Sequence, residues 1–130
     1  MSGYLLDTHS LIWWMTSSPR LPKKAKATIE AEGRQVFASA VNAYEIALKH
    51  RLGKLDVGAA LLQSYETDLR EVGLIELPVS TLHALTAGSL ETAHRDPFDR
   101  LLIAQAKIEG LILISNEALF DRCGVQRLWD

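Results

Sequence analysis

Asp7, Glu45, Asp96, Asp99 and Asn116 are the residues whose types and spacing suggest chemistry. Asp7 directly follows the apolar run Gly3–Leu6 and precedes a helical stretch. Glu45 lies one to two turns into the stretch that begins at Ser39, after a second apolar run. Asp96 and Asp99 bracket the start of a long helical segment, and Asn116 follows the most apolar run, Leu111–Ile114. Hard cations such as Mg²⁺ and Mn²⁺ take oxygen ligands, typically a few carboxylates completed by water and phosphate. One or two such ions activate a water and stabilise the charge that develops when a phosphodiester is cleaved. Oxygen-bearing side chains meeting at one sheet edge suit that chemistry.

Each position also has an ordinary structural use. Asp7 is placed to cap the helix that follows it. Glu45 precedes Lys49 by four residues, the spacing of an ion pair on a helix surface. Asp96 stands before Pro97 as an N-cap would, and Asp99 falls in the first turn, where an acid complements the helix dipole. Asn116 suits a cap or a turn. The pattern is informative jointly rather than position by position.

The elements that must carry these residues alternate along the chain. Gly3–Leu6 reads as a buried strand, followed by a helical stretch at Leu11–Met15 that Ser17-Ser18-Pro19 closes. Pro22 marks the first position of a helix reaching Gly33. Gln35–Ala38 is a second strand, and Ser39 caps a helix to Leu52 with Gly53 as its stop. The period of Leu61, Leu62, Tyr65 and Leu69 predicts one helix over Val57–Val72. Leu74–Leu77 is a third strand and Ser80–Ala93 a helix weakened by Gly88. A helix opening at Asp96-Pro97 runs to Glu109 and Gly110; strand Leu111–Ile114, a short turn from Asn116 and strand Val125–Leu128 complete the chain. Short apolar strands alternating with helices predict an α/β fold with a parallel sheet covered on both faces. Ligands in such sheets sit beyond the carboxyl ends of the strands.

At 130 residues the chain is the size of one domain, expected to span 1–130. Hydrophobic residues are 48% and charged residues 23%, ordinary for a globular protein. Cys123 stands alone, which excludes an intrachain disulfide and suggests a reducing compartment. Met1-Ser2-Gly3-Tyr4 lacks the basic start and apolar core of a signal peptide, and no apolar run approaches a membrane span, so the cytosol is expected. A net charge of −2 argues against nucleic-acid binding by a broad basic surface alone, but not against an enzyme whose metal supplies local positive charge.

The segments Leu5-Leu6-Asp7-Thr8-His9-Ser10-Leu11-Ile12-Trp13, Ser39-Ala40-Val41-Asn42-Ala43-Tyr44-Glu45-Ile46-Ala47-Leu48-Lys49 and Asp96-Pro97-Phe98-Asp99-Arg100-Leu101-Leu102-Ile103-Ala104-Gln105-Ala106 resemble PIN-domain proteins, and among them the VapC-type toxins of bacterial toxin–antitoxin pairs. The resemblance continues through Leu113–Leu119 and keeps the family's order. It implies a three-layer α/β/α sandwich with a central parallel sheet of order 3-2-1-4-5. It also implies a Mg²⁺- or Mn²⁺-dependent endoribonuclease, a homodimer, and a groove for an antitoxin segment. Carried over by position, Asp7, Glu45 and Asp99 match the three family acids and Asp96 an auxiliary one. Asn116 departs from a position where many relatives carry a fourth acid. An amide oxygen can ligate or orient water but adds no charge, so one firmly held ion is expected, ligated by Asp7 and Asp99. Glu45 would position or deprotonate the attacking water.

Arg100, beside Asp99, is a candidate phosphate contact, as are His94, Arg95 and the basic clusters Lys23, Lys24, Lys26 and Lys49, His50, Arg51, Lys54. A solvated helix face is the ordinary explanation for the Lys23 cluster. His9 is expected to be structural, and Trp13 and Trp14 to join the core or a subunit interface rather than stack on RNA. Two other functions are compatible with a chain of this kind. A PIN scaffold could bind RNA or a protein without efficient cleavage. A phosphorylation-dependent receiver would need an acidic pair after the first strand and an Asp after the third, where Asp7-Thr8 and Leu77-Pro78 stand instead.

Overall fold

The computed structural model describes residues 3–92 and 94–130. Strand β1 is Gly3–Leu6, followed by α1 (Thr8–Met15) and α2 (Lys23–Glu30). β2 (Gln35–Ser39) leads into α3 (Ala40–Arg51), and α4 (Ala59–Gln63) and α5 (Tyr65–Glu71) precede β3 (Ile75–Leu77). α6 (Thr81–Ser89), α7 (Pro97–Glu109), β4 (Leu111–Ile114), a 3₁₀ turn (Ala118–Arg122) and β5 (Arg127–Leu128) follow. The strands form one parallel sheet of order β3-β2-β1-β4-β5.

β1 is central, with Tyr4 opposite Val36 on one side and Ile112 on the other. Its side chains alternate between two cores, as the period-2 geometry of a strand requires. Tyr4 and Leu6 pack with Leu11, Ile12, Ala25, Ile29 and Leu69 under α1, α2 and α5. Leu5 packs with Leu102, Ile103, Leu113 and Phe120 under α7 and the 3₁₀ turn. Covering both faces is what permits an all-parallel sheet, and the uniformly apolar β1 and β4 follow from it. Fully burying one such aliphatic side chain stabilises the fold by about 1.5–3 kcal/mol.

The structure departs from the sequence expectation at several element ends. α1 begins at Thr8, three residues before the apolar stretch, because Asp7 caps it there. Pro22 is the N-cap of α2 rather than its first helical residue, with ψ 155°. That helix ends at Glu30, since Ala31 turns extended ahead of Gly33. The expected helix 57–72 is two, α4 and α5. Ser64 sits at the junction, its single O–H within hydrogen-bonding reach of both the Ala60 carbonyl and Asp68 Oδ2, a side-chain bond that competes with the helix backbone. α6 stops at Ser89, where Leu90 becomes extended; Ala93, the expected end, lies outside the described residues. α7 matches its punctuation, with Asp96 as cap, Pro97 first and Gly110 left-handed at φ 66°.

Candidate active site

The carboxyl ends of β1, β2 and β4 gather the site. Asp7 follows β1 and its backbone N–H donates to the Ile114 carbonyl, extending the β1–β4 ladder by one bond. Its carboxylate accepts from the Ser10 N–H at 2.8 Å, so the capping role is real. Asp7 is also only 4% exposed, and burial raises its pKa against opposing hydrogen bonds from Ser115 and Ser10 and the nearby charge of His9. An N-cap has no need of such burial. Holding a carboxylate where its charge is disfavoured is what sites that bind cations commonly do.

Glu45 is brought beside this corner because α3 packs against both α1 and α7. Ser39 and Asn42 form a capping box that sets the start of α3: Ser39 Oγ accepts from Val41 N–H, and Asn42 Oδ1 accepts from Ser39 N–H at 2.7 Å. Asn42 Nδ2 then donates to Thr8 Oγ1 at 3.1 Å, and Thr8 Oγ1 donates to Glu45 Oε1 at 2.5 Å. Lys49 Nζ takes Glu45 Oε2. The ion pair expected from spacing therefore exists, yet it uses one oxygen of a carboxylate only 4% exposed whose other oxygen faces Thr8.

Asp99 lies in the first turn of α7. Burial pushes its pKa up to about 6, opposed by a hydrogen bond from His94 and reinforced by the negative charges of Asp96 and Glu45. The electrostatic influence of Glu45 on Asp99 brings those two acids into one field. The rings of Tyr44 and Phe98, each one residue before an acid, pack 5.6 Å apart and tie α3 to the start of α7.

Asp96 caps α7, its Oδ1 accepting from the N–H groups of Phe98 and Asp99 at 2.8 and 3.3 Å. Asn116 is exposed after β4 and, among the described residues, hydrogen-bonds none of the acids; the residue of that turn that reaches Asp7 is the fully buried Ser115. Arg100, expected as a phosphate contact, is used otherwise. Its Nε, Nη1 and Nη2 donate to the carbonyls of Ala87, His94 and Leu90 at 3.0, 2.9 and 2.7 Å. The planar guanidinium thus clamps the end of α6 and the following segment onto α7.

His9 is exposed and packs 5.7 Å from Trp13, whose other faces meet Trp129 and Arg20. Trp14 donates to Glu30. Both tryptophans are half-buried against the α1 side core. A cavity of about 600 Å³ between α3, α5 and β3, lined by Ala43, Ala47, Leu62 and Leu69, holds none of these acids. Sequence reasoning missed Thr8, Asn42 and Ser115 as neighbours of the acids, and named His94 only as a candidate phosphate contact, not as a partner of Asp99. Thr8 alone carried a signal, its position directly after Asp7.

The donor set can be tested against a hard cation. Among the described residues, no three His, Cys, Asp or Glu side chains form a ready cage. Mg²⁺ and its like are commonly held by one or two carboxylates with waters and substrate phosphate, so a cage is not required. Two carboxylates with raised pKa values, Asp7 and Asp99, neither in an arginine salt bridge among the described residues, fit such an ion.

The PIN domain family model matches residues 4–125. Ribonuclease VapC22 of Mycobacterium tuberculosis is 27% identical over 120 residues, covering 90% of this chain and 88% of the relative. The fold is similar to a chain of the Rickettsia felis VapBC2 complex bound to a promoter DNA fragment (TM-score 0.73, 18% identity, 98% of both chains). It is also similar to a chain of DNA-bound VapBC from Salmonella typhimurium (TM-score 0.69, 17% identity, 98% of both chains). With the family model spanning nearly its whole length, the chain belongs to the PIN domain family.

Proposed function

We propose that this chain is a metal-dependent endoribonuclease acting as the toxin of a toxin–antitoxin pair. The observation that carries the reading is the setting of two acids, Asp7 after β1 and Asp99 in the first turn of α7, where burial resists their ionisation, with Glu45 bonded to Thr8 beside the first and within the electrostatic reach of the second. A relative that is a ribonuclease, and similar folds in VapBC complexes, support the substrate class and an antitoxin partner. A homodimer working in the cytosol completes the reading.

Asp7 and Asp99 would hold the ion, Mg²⁺ or Mn²⁺, with Asp96 kept to its cap and Asn116 at the rim. When bound, such an ion polarises a phosphate oxygen and lowers the pKa of a coordinated water. Glu45 would position or deprotonate the attacking water, its carboxylate oriented by the Thr8 hydroxyl. Charge balance favours one firmly held ion, since the position of a fourth acid is Asn116. Asp7 is only 4% exposed, so its carboxylate is largely shielded from bulk water.

Incubating purified protein with structured RNAs in Mn²⁺ or EDTA tests the reading. Cleavage that needs the metal and is lost in Asp99→Asn supports it, the variant controlling for contaminating nucleases. A chain that binds RNA or antitoxin and never cleaves, across pH values and metals, is the scaffold instead. The Lys49–Glu45 ion pair, which occupies an oxygen of the proposed base, favours that second reading.

A further inference from the structure

His94 is buried, 8% exposed, on the segment that enters α7. Its ring stacks on the fully buried Phe120 with centroids 5.4 Å apart and planes at 29°. Its backbone N–H donates to Thr92 Oγ1, and its carbonyl accepts from Arg100 Nη1 at 2.9 Å. Arg100 also grips the carbonyls of Ala87 and Leu90, so the segment carrying His94 is fastened before and at the histidine. Ring and backbone are both held, and among the described residues the ring's one polar contact is Nε2 to Asp99 Oδ2 at 2.7 Å.

Nδ1 of His94 is buried with no hydrogen-bond partner among the described residues. A neutral imidazole carries its proton on one nitrogen, and a buried N–H without an acceptor is costlier than a bare lone pair. The proton therefore belongs on Nε2, where the Asp99 carboxylate accepts it. That arrangement occupies Oδ2 and leaves Oδ1 of Asp99 with no hydrogen bond among the described residues. Histidine–carboxylate pairs beside metals serve to fix the orientation of a ligating group, the second partner setting the geometry of the first.

We propose that His94 is a positioning residue: by donating Nε2–H to Asp99 Oδ2 it holds that carboxylate in the one orientation that offers Oδ1 to the cation. Phe120 and Arg100 are the means by which the fold holds His94 itself. This inference rests on the metal-site reading for its purpose, but the His94–Asp99 pair has a readout of its own.

The first measurement is the imidazole tautomer in metal-free wild type, read from ring ¹⁵N shifts by long-range ¹H–¹⁵N NMR. An Nε2–H tautomer is expected; an Nδ1–H tautomer overturns the proposal whatever the metal does. The second is Mn²⁺ affinity by calorimetry in wild type, His94→Gln and His94→Leu. Gln can place an amide N–H near the position of Nε2, so His94→Gln should stay within about threefold of wild type, whereas His94→Leu should lose about 10–100-fold. A merely structural role lowers the fraction of competent protein, which changes the binding stoichiometry and not the affinity. His94→Leu with wild-type affinity overturns the proposal, and if that variant does not fold, a His94→Gln that loses affinity as a non-donor would does the same. In RNA cleavage the loss should lie in kcat with KM little changed. Wild type that binds no Mn²⁺ fails the metal-site reading instead, and the tautomer then decides the pair alone.

Discussion

Asp7 performs two tasks that a conservative substitution separates. It caps α1 through the Ser10 N–H, and it holds a carboxylate against the pull of desolvation. Asparagine caps about as well as aspartate but carries no charge. Asp7→Asn should therefore keep or raise the melting temperature while lowering Mn²⁺ affinity by at least about tenfold, a ligand being worth no less than an outer-shell partner. Thermal denaturation beside calorimetric titration checks both halves, and equal affinity in the two proteins removes Asp7 from the site. Asp99 yields a prediction in pH. Its folded pKa of about 6 stands above the ordinary 3.8, so between those values the native protein keeps a proton that the unfolded chain has released. Its contribution to stability is thus full below 3.8 and lost as pH rises through about 6. Urea unfolding from pH 4 to 7 should show that decline, and Asp99→Asn should flatten it. Mn²⁺ affinity should move the opposite way, rising as the carboxyl deprotonates.

At the scale of elements, α7 carries both a cap and a candidate metal ligand. Asp96 and Asp99 lie three residues apart on one segment, but the structure uses Asp96 to satisfy the N–H groups of the first turn. Asp96→Ala should cost about 1 kcal/mol of stability, and Asp96→Ser should restore most of it. Neither should change Mn²⁺ affinity by more than about twofold, since a ligand would cost far more; a larger loss in both returns Asp96 to the metal. The boundaries of α7 were legible because every end signal was local: a capping acid, a proline in the first position and a left-handed glycine after the last. The break between α4 and α5 was not, because Ser64 reads as one polar residue within a helical period and acts through its hydroxyl. Asp7 was legible as a candidate from its place after a strand, and Asp99 from its place in the first turn of α7. Their partners were not: Thr8 meets Glu45 across 37 positions, and nothing in a threonine's type announces a carboxylate brought to it by the packing of α3 on α1. Arg100 misled for the related reason that sequence adjacency to Asp99 says nothing of which way a guanidinium turns.

For the molecule as a whole, sheet order determines where chemistry is possible. The chain runs outward from β1 through β2 to β3, then returns to the other side of β1 for β4 and β5. The reversal falls between β1 and β4, the crevice flanked by Asp7 and Ser115, and it is there that open parallel sheets bind ligands. A net charge of −2 means that the rest of the surface offers RNA little general attraction. The densest basic cluster on one short helix, Lys23, Lys24 and Lys26, lies exposed on α2 above the buried Ala25, Thr28 and Ile29, as a solvated face would. If the ion and the residues at the strand ends provide the grip, replacing all three lysines by glutamine should leave kcat/KM within about twofold and the salt dependence unaltered. If α2 instead tracks the RNA backbone, each lost phosphate contact should flatten the slope of log affinity against log salt by about 0.7, the value for single strands. Cleavage of one RNA measured from low to physiological salt, in wild type and the triple variant, separates the two. A flattened slope would move the RNA path onto the α2 face and leave the acids as the place where that path ends.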